Sequence, residues 1–134
     1  MTSNIQSAFE GGLFAVTLLT HDLTASEHFY GSLLGLTKVW GDEVSAIYKT
    51  GSTMINVLSD AQASELLEPA TLAEHDAGEK TIFTLRCANV DAAVAELSAA
   101  GVEILNGPID RPWGVRTASF QDPSGNIWEL ANHN

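Results

Sequence analysis

The chain has 134 residues, 45% of them hydrophobic, which is enough for one domain with its own hydrophobic core. Its 17 acidic and six basic residues give a net charge of −11, which disfavours nucleic acid and anionic membrane surfaces as partners. The single cysteine, Cys87, excludes an intrachain disulfide, and no apolar stretch is long enough to span a membrane, so we expect a cytoplasmic protein. Solubility alone accounts for the acidity, and attraction of a cationic ligand is the alternative.

The first half of the chain, about 12–60, is predicted to form a β-α-β-β-β unit. An apolar run at 13–19 is typical of a strand, and the helix that follows begins at a cap among Thr20, Asp22 and Thr24. Gly35 is the expected helix stop. Three further strands are predicted at 37–40, 44–50 and 53–58, the last two joined by the hairpin pair Gly51-Ser52.

The same order of elements returns at about 80–132. A strand precedes a helix with Val90, Val94 and Leu97 on one stripe and Gly101 as its stop, and three more strands follow. Between the halves, residues 61–79 are predicted to be a connector with a short helix that Pro69 interrupts. We therefore expect one domain made of two diverged copies of a single unit.

Three stretches resemble the vicinal oxygen chelate superfamily, which includes glyoxalase I, extradiol dioxygenases and bleomycin-resistance proteins. They are HDLTASEHFYGSLLGL at 21–36, AGV at 100–102 and FQDPSGNIWEL at 120–130. The resemblance covers about Leu13 to Ala131 and is greatest to the metal-free, antibiotic-binding branch. It implies an α+β fold in which two βαβββ modules form a curved, mixed, mostly antiparallel sheet around a cleft. It also implies a homodimer, because clefts in this superfamily often use a module from a second chain.

The resemblance implies that metal-using members draw their ligands from the first and last strands of each module. The corresponding first-strand positions here are Ala15 and Ile82, which have no donor atom. The last-strand positions are Asn56 and Glu129, and only Glu129 is a strong ligand. We therefore expect no metal and no other cofactor. The four histidines are spread along the sequence without an HxH or HxxxH pair, which is typical of separate surface residues.

Five residues are predicted to contact a small-molecule ligand. Trp113, flanked by Pro112 and Gly114 in a loop, resembles a residue that walls the ligand cleft in antibiotic-binding members. The others are Tyr48, Asn56, Arg116 and Glu129. Each has a structural alternative, which is packing for the aromatic residues, backbone bonding for Asn56, and a salt bridge, for example with Glu129, for Arg116.

Two functions remain open from the sequence. The first is a metal-independent protein that binds a hydrophobic or aromatic small molecule, with cationic compounds and antibiotics among the candidate ligands. The alternative is a metal-dependent lyase, isomerase or dioxygenase of the same superfamily that uses Glu129 with a non-standard ligand set. The catalytic residues of such an enzyme are not identifiable, and the GxSxG, GxGxxG and GxxxxGK motifs are absent from the sequence. The residue types at positions 15, 56, 82 and 129 favour binding.

Overall fold

The computed structural model describes residue 8 and residues 11–133. Its first half contains one helical segment and a four-stranded sheet. Helix α1 (Leu23–Glu27) continues directly into a π-helical segment, His28–Leu33. The strands are β1 (Ala15–Thr20), β2 (Thr37–Gly41), β3 (Ser45–Thr50) and β4 (Thr53–Ser59).

The second half repeats this arrangement after the connector. The connector holds a 3₁₀ turn (Asp60–Gln62) and the short helix α2 (Ser64–Leu67), which ends before Pro69 as predicted. The second module consists of β5 (Ile82–Arg86), α3 (Val90–Ala99), β6 (Ile104–Asp110), β7 (Arg116–Gln121) and β8 (Ile127–Ala131). None of the described helices is long and apolar enough to cross a membrane.

Equivalent local signals begin and end the two main helices. The side chain of Asp22 accepts a hydrogen bond from the Ala25 N–H at 3.0 Å, so Asp22 is the cap among the three predicted candidates. Asn89 caps α3 in the same way, with a 2.9 Å bond from the Ala92 N–H. Gly35 has φ +70, the left-handed conformation that stops a helix and favours glycine.

The strands form two separate four-stranded sheets of the same topology. Their orders are β1-β4-β3-β2 and β5-β8-β7-β6. In each sheet the first strand pairs in parallel with the last, and the other pairs are antiparallel. The predicted α+β class and the mixed, mostly antiparallel pairing are therefore confirmed. Within the described residues the sheets do not close on each other.

The hydrophobic core lies where the π-helical segment meets side chains of both sheets. The Tyr30 ring centroid lies 6.1 Å from that of Tyr48 in the first sheet and 6.0 Å from that of Trp128 in the second. Phe29 similarly lies 6.1 Å from Phe120. All five side chains are buried. Alternation along β8 predicts that Trp128 faces inward, and its burial confirms this prediction.

A buried hydrogen-bond network also joins the two modules. The Tyr30 hydroxyl donates to Asp122 Oδ2 at 2.5 Å, and Trp128 Nε1–H donates to the Tyr30 oxygen at 3.1 Å. Asp122 Oδ1 accepts from the backbone N–H groups of Ser124 and Asn126. The predicted turn at 122–125 therefore forms, with a 3.1 Å bond from the Gly125 N–H to the Asp122 carbonyl. Its first residue also anchors the N-terminal module.

Candidate functional site

Each sheet has one face turned away from the core, which we call its open face. On the open face of the first sheet, strand pairing aligns four residues in a row. Thr17 lies opposite Asn56, Asn56 opposite Ile47, and Ile47 opposite Trp40. Cross-strand partners share a face, so these four side chains are neighbours. The row runs from a hydroxyl and an amide to an apolar side chain and an indole that is 54% exposed.

The open face of the second sheet carries the equivalent row, with different chemistry. Thr84 lies opposite Glu129, Glu129 opposite Ser119, and Ser119 opposite Asn106. All four side chains are polar, and Glu129 is the only charged one among them. The two rows therefore lie on equivalent strands of the two modules. The row on the first sheet is partly aromatic, and the row on the second sheet is polar and acidic.

The central residues of both rows bond to the threonine beside them. Thr84 Oγ1 donates to Glu129 Oε1 at 2.9 Å, which leaves Glu129 Oε2 free of this bond. Asn56 Nδ2 donates to Thr17 Oγ1 at 3.4 Å, a long bond. Asn56 Oδ1 is buried without a hydrogen-bond partner, and such an atom is costly unless a donor reaches it.

The donor atoms on the open faces do not fit the divalent metal that the resemblance implies for metal-using members. On the neighbouring first strands, Thr17 lies opposite Asn56 and Thr84 lies opposite Glu129. The predicted ligand positions Ala15 and Ile82 lie two residues before these threonines on the same strands. These residues offer one carboxylate, one amide and two neutral hydroxyls, whereas such metals require three or four imidazole, carboxylate or thiolate ligands. Among the described residues no group of three or more His, Cys, Asp or Glu side chains is placed to hold a metal ion.

The five predicted ligand residues do not lie together in one chain. Asn56 and Glu129 lie on the open faces of different sheets. Trp113 lies in the loop between β6 and β7 and is 69% exposed. Tyr48 is 1% exposed and faces the core, because it alternates with Ile47 along β3. The prediction that Tyr48 contacts ligand does not agree with this burial.

Arg116 forms ion pairs, but with partners other than the predicted Glu129. Its Nε and Nη2 donate to the two oxygens of Asp91 at 2.8 and 3.0 Å, a bidentate pair. Its Nη1 donates to Asp110 at 3.0 Å. The two carboxylates raise the pKa of Arg116 further above its ordinary value. The guanidinium therefore ties β7 to α3 and β6, and its planar fork is already occupied within the chain.

Sequence reasoning missed a pair of histidines. The rings of His21, which follows β1, and His75, in the connector, stack with centroids 4.3 Å apart and an angle of 23° between their planes. The two residues are 54 positions apart (75 − 21), and neither belongs to a recognisable motif. Both residues are exposed, as expected of surface histidines, but the expectation that they lie apart is wrong for this pair. Only the docking of the connector beside β1 brings the two rings together.

Comparisons with known proteins agree with this architecture. A family model described as Glyoxalase/Bleomycin resistance protein/Dioxygenase superfamily matches residues 12–130. The uncharacterized protein YraH of Bacillus subtilis (strain 168) is 32% identical in an alignment of 122 residues that covers 88% of this chain and 95% of that protein.

Solved structures have the same fold. A glyoxalase/bleomycin resistance protein/dioxygenase from Nocardioides superposes with a TM-score of 0.82 at 27% identity, covering 96% of this chain and 89% of that one. A lactoylglutathione lyase from Agrobacterium tumefaciens gives a TM-score of 0.73 at 21% identity, with coverage of 92% and 94%, a likeness of fold alone. The chain therefore belongs to the glyoxalase/bleomycin resistance protein/dioxygenase superfamily.

Proposed function

We propose that this protein binds a small molecule without a metal, between the open face of the first sheet in one chain and the open face of the second sheet in another. The observation that carries the proposal is the donor set of the two rows. Apolar residues stand at the first-strand positions, and the polar side chains of the rows suit hydrogen bonding better than metal ligation.

The chemistry of the two rows defines the class of ligand. The first row offers the exposed Trp40 indole and Ile47, which suit an aromatic or aliphatic body. The second row offers Glu129 among neutral polar side chains, which suits a cationic or hydrogen-bond-donating group. We therefore propose an aromatic ligand with a positively charged or donor group. Aromatic antibiotics with amine groups are members of this class.

Exposed apolar side chains on the same faces support a homodimer. Ile82 lies beside the second row and is 63% exposed, and Trp40 in the first row is 54% exposed. Exposed apolar side chains at these positions favour contact with another surface, and two chains related by a two-fold axis would bring the first open face of each against the second open face of the other. Pairing the faces around a two-fold axis would create two equivalent clefts per dimer.

Light scattering on the parent protein and one interface variant tests the dimer. We expect a mass about twice the 14.3 kDa of one chain for the parent. Ile82→Glu places a charge on the open face and should yield a monomer. The matched control is Leu66→Glu, which adds the same charge at a 71% exposed position on α2 and should remain dimeric. A parent that stays monomeric across the micromolar range contradicts the proposed cleft.

Elemental analysis after dialysis against metal-free buffer tests the absence of a metal. We expect far less than one transition-metal ion per chain. The matched control is the triple variant Ala15→His, Asn56→Glu and Ile82→His, which together with Glu129 supplies four strong ligands and should retain metal. One zinc, nickel, iron or manganese ion per parent chain would instead favour the metal-dependent lyase, isomerase or dioxygenase alternative.

Tryptophan quenching by a panel of aromatic amines, with bleomycin included, tests ligand binding. Glu129→Gln should weaken binding of cationic members by about tenfold and leave neutral analogues unchanged. Trp113→Ala should weaken binding of aromatic members by about tenfold if its loop reaches the cleft of the dimer. Equal binding of cationic and neutral members by the parent and by Glu129→Gln would contradict the role given to Glu129.

A further inference from the structure

One arginine folds back over the open face of the second sheet. Arg111 follows β6, and its Nε–H donates to Thr117 Oγ1 at 2.9 Å while its Nη2 donates to Asn106 Oδ1 at 3.1 Å. Thr117 lies on the open face, because it alternates along β7 with the core residue Ala118. Asn106 belongs to the row of Glu129. The guanidinium of Arg111 therefore lies on the open face, at the β6 end of that row.

The loop that joins β6 to β7 fixes the backbone of Arg111. The Arg111 N–H donates to the Val115 carbonyl at 2.8 Å, and the Gly114 N–H donates to the Arg111 carbonyl at 3.0 Å. These two bonds hold the backbone, and the bonds to Thr117 and Asn106 hold the side chain. Because the guanidinium is already ordered, a group that binds to it does not have to restrict its motion first.

Arg111 differs from the other basic residues in its burial and its partners. Four of the six basic residues are exposed, and the half-buried Arg116 pairs with Asp91 and Asp110. Arg111 is also half-buried, but no carboxylate of the described residues pairs with it. Its two side-chain bonds go to neutral oxygens and leave three of its five N–H donors unused within the described part of the chain. A partly desolvated guanidinium of this kind is complementary to an oxyanion.

The strand positions beside the row of Glu129 are basic. The next row on the same open face consists of Arg86, Ala131, Thr117 and Ile109. Arg86 supplies one positive charge at the β5 end of this row, and Arg111 supplies a second one over Thr117. Glu129 on β8 and Asn106 on β6 are two strand spacings apart, which is about 10 Å. The open face therefore presents a carboxylate and a guanidinium that are separate and of opposite charge.

We propose that Arg111 binds an oxyanion of the ligand, a carboxylate or a phosphate, in the cleft that contains Glu129. This inference rests on the proposed function, and it narrows the ligand class to aromatic zwitterions. An ammonium group bound at Glu129 and an oxyanion bound at Arg111 belong at opposite ends of the ligand, because the two side chains lie about two strand spacings apart. A compound that carries both charges on one carbon atom is too short to reach both.

Isothermal titration calorimetry with three matched probes tests the oxyanion. The probes are para-(aminomethyl)benzoate, para-(aminomethyl)phenyl phosphate and para-(aminomethyl)benzamide, which share an aromatic ring and an ammonium group and differ at the opposite end. We expect the benzoate, the phosphate or both to bind the parent about tenfold more tightly than the uncharged benzamide. The two anionic probes distinguish a carboxylate site from a phosphate site. Equal affinities of the parent for all three probes would overturn the proposal.

Charge-neutral variants locate the oxyanion. Arg111→Gln keeps a side-chain N–H donor and removes the positive charge, so it should bind all three probes with the affinity of the benzamide. The matched control Lys80→Gln removes the same charge from an exposed residue before β5 and should keep the parental preference. A purely structural role of Arg111 would weaken binding of the benzamide equally. That result would overturn the proposal, and so would a preference that Arg111→Gln keeps or Lys80→Gln loses.

Glu129→Gln separates this inference from the proposed function. It should weaken all three probes by about tenfold, since each has the ammonium group, and leave the preference for an oxyanion unchanged. Equal affinities of the parent for the three probes, all dependent on Glu129, would overturn the role of Arg111 and leave the proposed function standing. A preference that depends on Arg111 with no effect of Glu129→Gln would instead contradict only the role of Glu129. Absence of saturable binding by every probe at millimolar concentration would overturn the role of Arg111, and the panel of aromatic amines then tests the proposed function by itself.

Discussion

Tyr30→Phe removes one oxygen atom from the centre of the network that joins the two modules. In the parent that hydroxyl is fully buried, donates to Asp122 at 2.5 Å and accepts from Trp128 at 3.1 Å. A hydrogen bond to a charged group contributes about 1.5–3 kcal/mol, and an indole N–H left without a partner costs about 1 kcal/mol more. We expect the variant to lower the free energy of unfolding by about 3 kcal/mol.

Urea denaturation followed by circular dichroism measures this change as a lower midpoint with an unaltered slope. The matched control is Tyr48→Phe, which removes the same atom from a buried tyrosine whose hydroxyl makes only a 3.4 Å contact with the Glu27 carbonyl. This control should lose less than about 1 kcal/mol. If the two variants lose the same amount, the network is not what holds the modules together, and aromatic packing carries that role.

Three further predictions follow from single contacts. Burial and the nearby Asp122 raise the pKa of Tyr30 far above its ordinary value of 10.0, so the unfolded chain loses this proton first. The free energy of unfolding should therefore be insensitive to this group below pH 10 and fall above it, by about 1.4 kcal/mol per pH unit. In the Tyr48→Phe variant, which keeps Tyr30 as its one tyrosine, tyrosinate absorbance should rise only on unfolding. Arg116→Ala should lower the free energy of unfolding by less than about 1 kcal/mol, because both of its carboxylate partners are exposed. A larger loss in urea denaturation would mean that the two ion pairs stabilise the fold as a network. Gly125→Ala should lower the melting temperature more than Gly114→Ala. Both glycines have positive φ, but only a Cβ at position 125 would clash with the connector, at the backbone oxygen of His75, so equal losses would contradict the docking of the connector on this turn.

Several local features of this protein follow from its sequence alone. Asp22 and Asn89 cap helices through bonds to residues three positions away, and Gly51-Ser52 joins two strands in a hairpin. The inward orientation of Trp128 follows from strict alternation along β8. These features depend on neighbours within a few residues, so the sequence contains everything needed to predict them. The recurrence of the same signals in both halves predicts the repeated module.

The tertiary structure decided every contact between residues distant in sequence. Tyr30 meets Asp122 across 92 positions, and the pairing register places Thr17 and Thr84 beside the candidate residues of the open faces. The sequence does not identify the carboxylate that pairs with Arg116, and the packing of α3 against the second sheet places Asp91 beside it. No periodicity encodes such partners, because they depend on how whole helices and sheets pack. The two open faces are therefore properties of the packed modules rather than of any sequence motif.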